Sequence, residues 1–206
     1  MMMYGTFRII FWGIIFAIIY FLLIKKSKVG KKRRVTILTL VFCLISSSIS
    51  ALFPVENLFF SFKSPDEVLN YYQSGKTEDI LNGNDSSMVI YSEGNSLGGH
   101  FIVPKSNKGY KIPSLFSVKK VANKFDKEGN FSVYNVLGTK DYYMVGTIIS
   151  KENEISTVDS NNEEVKNIVV EMGNSDTKTV LLFSFIENFT EEYHLMINGK
   201  KILVSN

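Results

Sequence analysis

Along the chain, apolar and polar positions follow two different patterns. Residues 9–24 form a run of sixteen without a charge, and residues 35–53 a second of nineteen. As helices at about 1.5 Å per residue these runs reach roughly 24 and 28 Å, against a bilayer hydrocarbon core of about 30 Å. Tyr4, Phe7 and the snorkelling stems of Arg8, Lys25 and Lys26 lengthen the first. Either run alone could be the core helix of a soluble protein. Two of them within 53 residues, separated by a ten-residue basic loop, predict a transmembrane helical hairpin over 1–53, with spans at about 7–24 and 35–53.

Beyond Phe53 the pattern changes. Residues 54–63 read as a linker, rich in phenylalanine. Ser64-Pro65-Asp66-Glu67 then opens a short helix, with Ser at the N-cap, Pro at N1 and Glu at N3. Val68, Leu69 and Tyr72 give its apolar face, and Gly75 is its expected end. Asp66 and Glu67 need no catalytic role, because the helix dipole favours acids in a first turn. After Gly75 the period is two. Strands are expected at 78–81, 88–92, 101–103, 110–112, 131–137, 142–149, 154–158, 165–172, 179–186, 193–197 and 202–204, parted by Gly- and Asn-containing turns. Asn198-Gly199 is the clearest hairpin turn. Val118, Val121, Ala122 and Phe125 suit a helix or a hairpin arm, with strand preferred. The predicted fold is α+β, mostly β: a two-helix transmembrane hairpin, then an antiparallel β-rich domain over 64–206 that begins with one short helix. That domain has two possible sub-units, 64–117 and 118–206, a meander and a sandwich-like second half.

Charge adds direction to this picture. The net +3 is the sum of +8 on residues 1–53, which hold no acid, and −5 on residues 54–206. Seven of the eight head charges (Lys25, Lys26, Lys28, Lys31, Lys32, Arg33, Arg34) lie within residues 25–34. Short loops of this kind stay in the cytoplasm. The expected location is therefore a cell membrane crossed twice, with the N-terminus and the C-terminal domain on the extracytoplasmic side. The same cations suit anionic lipid headgroups. A nucleic-acid partner is not expected, since a basic run pinned between two spans is a topology signal. One rival reading takes 25–51 as a signal peptide, with Ser46–Ala51 as the cleavage zone. The single cysteine, Cys43, sits inside the second run without the small residues a lipoprotein site needs, and the acidic domain has none.

The order Ser64-Pro65-Asp66-Glu67-Val68, Gly75-Lys76 to Ile80, Asn82-Gly83-Asn84-Asp85-Ser86-Ser87-Met88-Val89-Ile90-Tyr91 and Gly109-Tyr110-Lys111 resembles a loose group of small membrane-anchored or lipoprotein-like proteins of low-GC Gram-positive bacteria. Asp141-Tyr142-Tyr143-Met144-Val145-Gly146 and residues 193–200 are similar to their second half. Members often carry Trp where Tyr110 stands, and many have one anchor. The group's function is unassigned, so the resemblance implies compartment and fold alone.

Catalytic and metal motifs are sparse. Gly94-Asn95-Ser96-Leu97-Gly98 matches the G-x-S-x-G nucleophile elbow, and His194 lies far downstream, but the elbow needs a helix after the serine and here the sequence reads as turn and strand. His100 and His194 are the only imidazoles and have no ligand spacing; His194 is expected at the surface. Residues 159–164 begin like a calcium loop, yet Gly is missing at position six and Val170 replaces the bidentate Glu. No cofactor or metal is expected. Asn84, Asn130 and Asn188 sit in glycosylation sequons, relevant only in a glycosylating host. The favoured function is a non-enzymatic envelope protein presenting an outward β-rich module to a protein, peptide or wall component. An accessory or sensory subunit, pairing through Tyr4, Trp12, Gly13 and Ala17, is the alternative. A serine hydrolase at Ser96 is the remote one.

Overall fold

Two outward-facing apolar helices lead into twelve antiparallel strands in a computed structural model that describes residues 2–25, 29–94, 96–125, 127, 129–151, 155–160, 165–171 and 177–204. The chain is α+β, 43% strand and 30% helix. Helix α1 is Met2–Ile19, continued by a π-helical turn at Tyr20–Ile24, and α2 is Val29–Leu52. Both are long and apolar enough to cross a membrane, judged by length and composition. Their most hydropathic windows, Gly5–Leu23 and Lys31–Ser50, are 0% and 11% buried. A core helix of a soluble domain would be mostly buried, and these windows are not. The second helix starts earlier than the apolar run does, so Lys31, Lys32, Arg33 and Arg34 are exposed on its first turns rather than in a loop.

A 3-10 turn at Val55–Leu58 follows, and then α3, Pro65–Tyr72. Ser64 caps α3 by accepting from the Glu67 amide at 3.3 Å, and the Glu67 carboxylate accepts from the Lys63 amide at 2.8 Å. The box is shifted one residue from the ideal, in which the N-cap amide is the donor. The helix stops at Tyr72, where Gln73 turns extended, three residues before Gly75.

Strands β1 (Lys76–Asn82), β2 (Ser86–Glu93), β3 (Ser96–Ser106) and β4 (Gly109–Tyr110) form the first sheet in sequential order. The second sheet has the order β5-β6-β7-β10-β9, from β5 (Val118–Phe125), β6 (Gly129–Val136), β7 (Tyr142–Ser150), β9 (Lys166–Glu171) and β10 (Lys178–Ile186). The third has the order β12-β11-β8, from β8 (Thr157–Asp159), β11 (His194–Ile197) and β12 (Lys200–Leu203). Residues 118–125 are thus a strand, paired with β6. The expected strand at 154–158 shifts to 157–159; Glu154 and Met172 lie outside the described residues. Strand β3 runs well past the expected 101–103, because pairing with β2 carries it through Gly99 and Pro104. Asn198 and Gly199 both take positive φ, 49° and 80°, as their hairpin turn requires.

Alternation along the strands stacks four layers. On β2, Val89 joins Val103, Ile112, Val68 and Leu69 between the first sheet and α3. Its neighbours Met88 and Ile90 face the other way, onto Tyr143, Phe183 and Val136 of the second sheet. The far side of that sheet packs Phe131, Val133, Met144, Val180 and Leu182 against Tyr193, Leu195 and Ile202 of the third. Strands covered on both faces lose the polar half of their alternation. Met88-Val89-Ile90 and Val180-Leu181-Leu182-Phe183 read as continuous apolar runs for that reason. Segment 64–117 supplies α3 and the first sheet, segment 118–206 the other two sheets, and the two segments share a core.

Asp141 joins the first two sheets. It is fully buried and accepts from the Asn84 amide (3.2 Å), the Asp85 amide (2.8 Å) and Ser86 Oγ (2.6 Å), while Ser86 Oγ lies 3.0 Å from the Tyr143 hydroxyl. Gly83 leaves the room: a Cβ there would stand 2.6 Å from both Asp141 Oδ2 and the Tyr143 hydroxyl. Three donors converge on one carboxylate; its removal strands the buried Ser86 hydroxyl at about 1–3 kcal/mol, whereas the two amides belong to the exposed Asn84 and Asp85. Asp141→Ala is therefore expected to lower the unfolding free energy by about 1–3 kcal/mol. Denaturant unfolding of the detergent-solubilised chain measures it, and an unchanged midpoint would show that the turn holds without the carboxylate.

Candidate functional site: the collar joining helices and sheets

Residues 54–63 were expected to be a linker, and in space they connect the helix pair to the first sheet. They are also fixed from several sides. Arg8 is the only charged residue before Lys25, and Glu56 is the first carboxylate of the whole chain. The two meet. Arg8 Nε donates to Glu56 Oε1 at 2.9 Å and Nη2 to Oε2 at 3.2 Å, with the side chains 11% and 0% exposed. A two-pronged guanidinium–carboxylate contact fixes orientation as well as distance.

Neighbouring contacts complete the collar. Asn57 brackets Ile112, donating from Nδ2 to its carbonyl at 2.8 Å and accepting its amide on Oδ1 at 2.9 Å. Lys111 Nζ donates to the carbonyls of Asn57 (2.8 Å) and Phe60 (3.0 Å). Phe62 and Tyr110 exchange both backbone hydrogen bonds, so the segment adds a bridge to the edge of the first sheet. Phe7 packs against Phe59, tilted, and Phe60, edge to face, at centroid distances of 6.0 and 5.5 Å, and Phe60 reaches Tyr71 of α3 at 5.7 Å. Burial pushes the Tyr71 phenol up to about 12; the Glu56 carboxylate adds to the rise and Arg8 opposes it. On the α2 side, the Leu115 amide donates to the Leu52 carbonyl at 3.2 Å, and Phe116 lies 5.7 Å from Phe53. Trp12 Nε1 donates to Ser50 Oγ at 3.2 Å, closing the helices on each other below the collar. Beside these groups a cleft of about 270 Å³ opens between the helices, lined by Arg8, Trp12, Phe16, Leu40, Cys43 and Ser47 among others.

The residues singled out from sequence do not assemble here. Lys25 is exposed at the far end of the helix pair, its Nζ 5.7 Å from the centre of the Phe21 ring. Lys31, Lys32, Arg33 and Arg34 are exposed nearby on α2, whereas Lys26 and Lys28 lie outside the described residues. Ser96 opens β3 opposite Glu93, and the chain continues as strand to Ser106. The strand–turn–helix of a nucleophile elbow is not formed there. His194 is half-buried in β11, in a different sheet from His100, with Nδ1 3.0 Å from the Glu192 carbonyl. His100 packs by Tyr134 and Phe183, and burial holds its imidazole below the usual histidine range. Asp159 is buried at the end of β8, 3.5 Å from the Tyr193 hydroxyl; residues 161–164 lie outside the described set. Among the described residues no three His, Cys, Asp or Glu side chains gather as a metal site would need.

Sequence reasoning missed Glu56, Asn57 and Lys111. For Glu56 a signal existed, since an isolated cation in an apolar run and the first carboxylate beyond it have each other as natural partners. Compared with known proteins, the chain matches no protein-family model, no curated protein and no solved structure.

Two outcomes are expected. Breaking one side of a buried ion pair costs about 3–5 kcal/mol, because the surviving charge stays buried. Arg8→Met should destabilise the detergent-solubilised chain by that amount, and adding Glu56→Leu should restore most of it; additive losses would show that the pair is not coupled. The second concerns pH. Tyr71 binds its proton more tightly folded (about 12) than at the ordinary value of 10.0, so its contribution is complete below pH 10.0 and lost as pH rises toward about 12. The alkaline fall in thermal midpoint should shrink in Tyr71→Phe. Tyr143, shifted the same way chiefly by burial, accounts for part of the remainder.

Proposed function

We propose that this chain is a membrane-anchored, non-enzymatic envelope protein that displays a β-rich interaction module outside the cell. In this reading α1 and α2 cross the bilayer, residues 25–34 lie in the cytoplasm, and the sheets stand on the extracytoplasmic face. The observation that carries it is the distribution of exposed groups. Ile9, Ile14, Phe21, Leu38 and Leu44 are 76%, 56%, 61%, 68% and 61% exposed between a cationic end and a sheet-bearing end. Water does not tolerate an apolar surface of that extent, whereas lipid does. The cations at the start of α2 oppose its dipole. Anionic headgroups and the positive-inside bias supply a reason for them there. Continuous helix through Ser46 to Ser50, with Ser50 buried under Trp12, supports an anchor that stays attached over a cleaved signal peptide. The layered sheets supply the β-rich module of this reading, which would bind a protein, peptide or wall component. The resemblance to small membrane-anchored proteins of Gram-positive bacteria agrees with this compartment.

A second reading, an accessory subunit pairing within the bilayer, has one supporting observation. Gly13 and Ala17, four residues apart on α1, are exposed, and a Cβ on Gly13 would meet nothing within 4 Å. Small residues at that spacing allow close helix approach.

Protease added to intact cells should digest the sheets and leave a protected fragment of about the first 55–60 residues, the length of two spans and their loop. A fully protected chain would overturn the orientation, and a chain released to the medium would overturn the anchor. In crosslinking from the cell surface, a partner captured through the sheets supports the module. A partner lost only when Gly13→Leu and Ala17→Leu are introduced supports the accessory subunit instead.

A further inference from the structure

The loop between β4 and β5 carries its apolar groups where a turn normally carries polar ones. Ser114 to Ser117 is a four-residue turn closed by the Ser117 amide on the Ser114 carbonyl at 3.0 Å. Its flanking serines hold each other: the Ser114 amide donates to Ser117 Oγ at 2.7 Å, and the two hydroxyls are 2.9 Å apart. The central positions of such a turn ordinarily carry Gly, Asn, Asp or Pro. Here they are Leu115 and Phe116, 67% and 54% exposed.

The position of the turn gives the reason. Leu115 is bonded to the last carbonyl turn of α2 through Leu52, and Phe116 rests by Phe53, itself 55% exposed. From the other side of the helix pair, Leu58 and Phe59 are 82% and 60% exposed, with Phe59 also against Phe11 of α1. Two stretches of chain, more than fifty residues apart in sequence, thus place exposed aliphatic and aromatic side chains around the same end of the helices. The apolar window of α2 ends at Ser50, so a bilayer spanned by it would end beside this ring. Exposed Leu and Phe side chains at this level bury themselves in the headgroup–acyl boundary.

We propose that the Leu115–Phe116 turn is a third membrane contact, inserted into the outer-leaflet interface beside the two spans and seating the β-rich domain directly on the lipid. This rests on the reading that the helix pair crosses a bilayer. The ligand is the lipid boundary itself, the glycerol and upper acyl region, with Leu58 and the α1-packed Phe59 adding exposed apolar groups at the same end.

Site-directed fluorescence on the full chain tests it. With Cys43→Ser as background, single cysteines replace Leu115, Phe116, Leu44 and Phe125, each labelled with an environment-sensitive fluorophore. The protein is reconstituted into vesicles of phosphatidylcholine and phosphatidylglycerol carrying nitroxide either near the glycerol or deep in the acyl chains. Phe125 is the matched control: a phenylalanine 79% exposed at the other end of β5, about 23 Å of strand away. Leu44, in the middle of the apolar part of α2, reports on the span. The expected result is several-fold stronger quenching by the shallow nitroxide at 115 and 116 than at 125, with a blue-shifted emission, and deep quenching at 44. If 44 lies in lipid while 115 and 116 are as wet as 125, the third contact is wrong and the anchor stands. If 44 is also wet, the anchoring itself fails and takes the contact with it. Labels at 115 and 116 shielded from aqueous iodide yet not quenched by either nitroxide would mean a protein covers the turn, which also overturns the proposal. Circular dichroism matching the parent guards each variant against misfolding.

Discussion

One buried ion pair ties the first helix to the segment that leads into the sheets. Arg8 lies in an apolar helix where an unpaired guanidinium would be very unfavourable, and Glu56 is wholly inaccessible to solvent. Each makes the other's position tolerable, and together they fix the first turns of α1 relative to the 3-10 turn. The geometry is demanding because both prongs must be satisfied. Once it is met, Asn57 is placed to bracket Ile112, and Lys111 to gather the carbonyls of Asn57 and Phe60. Buried pairs of this kind contribute little net stability compared with apolar replacements. What they supply here is a single allowed arrangement of two bodies that share little other polar contact.

Inside the β-rich domain the governing constraint is coverage of both faces. The second sheet is the middle of a stack and has no solvated side over its central strands, so β7 and β10 carry large side chains alternately toward the first and third sheets. Among the buried polar groups, Asp141 sits between the first two sheets. Its carboxylate is satisfied by backbone amides and a serine hydroxyl, which makes it a joint of the turn after β1 with the start of β7. At the sheet margin, Asp79 and Lys166 make a second, half-exposed link between the first and second sheets.

Local features were legible in the sequence, and those that depend on distant partners were not. The helix pair, the Ser64 cap and the Asn198-Gly199 turn follow from runs, caps and dipeptides that act over a few residues. The two-sided burial of β2 and β10 is also written locally, as apolar runs too long for simple alternation. By contrast, Gly98-Gly99 and Pro104 hid most of β3, because its extent is set by a partner strand rather than by its own propensity. The collar was hidden for the same reason: Arg8 with Glu56 and Asn57 with Ile112 are pairs separated by 48 and 55 residues. The Ser-Leu-Phe-Ser turn was visible as letters. Its place beside α2 depends on a distant partner, Leu52, whose carbonyl accepts from the Leu115 amide.

The double attachment of the collar has a consequence for reach. A flexible ten-residue tether would let the sheets wander with an end-to-end distance of about 16–19 Å. Tied to α1 through Arg8 and to α2 through Leu52, the domain is attached at two points instead of one. Two attachments restrict the orientations open to the sheets more than a single tether does. In the proposed reading, a target would meet a surface that is already oriented, and binding would cost less ordering.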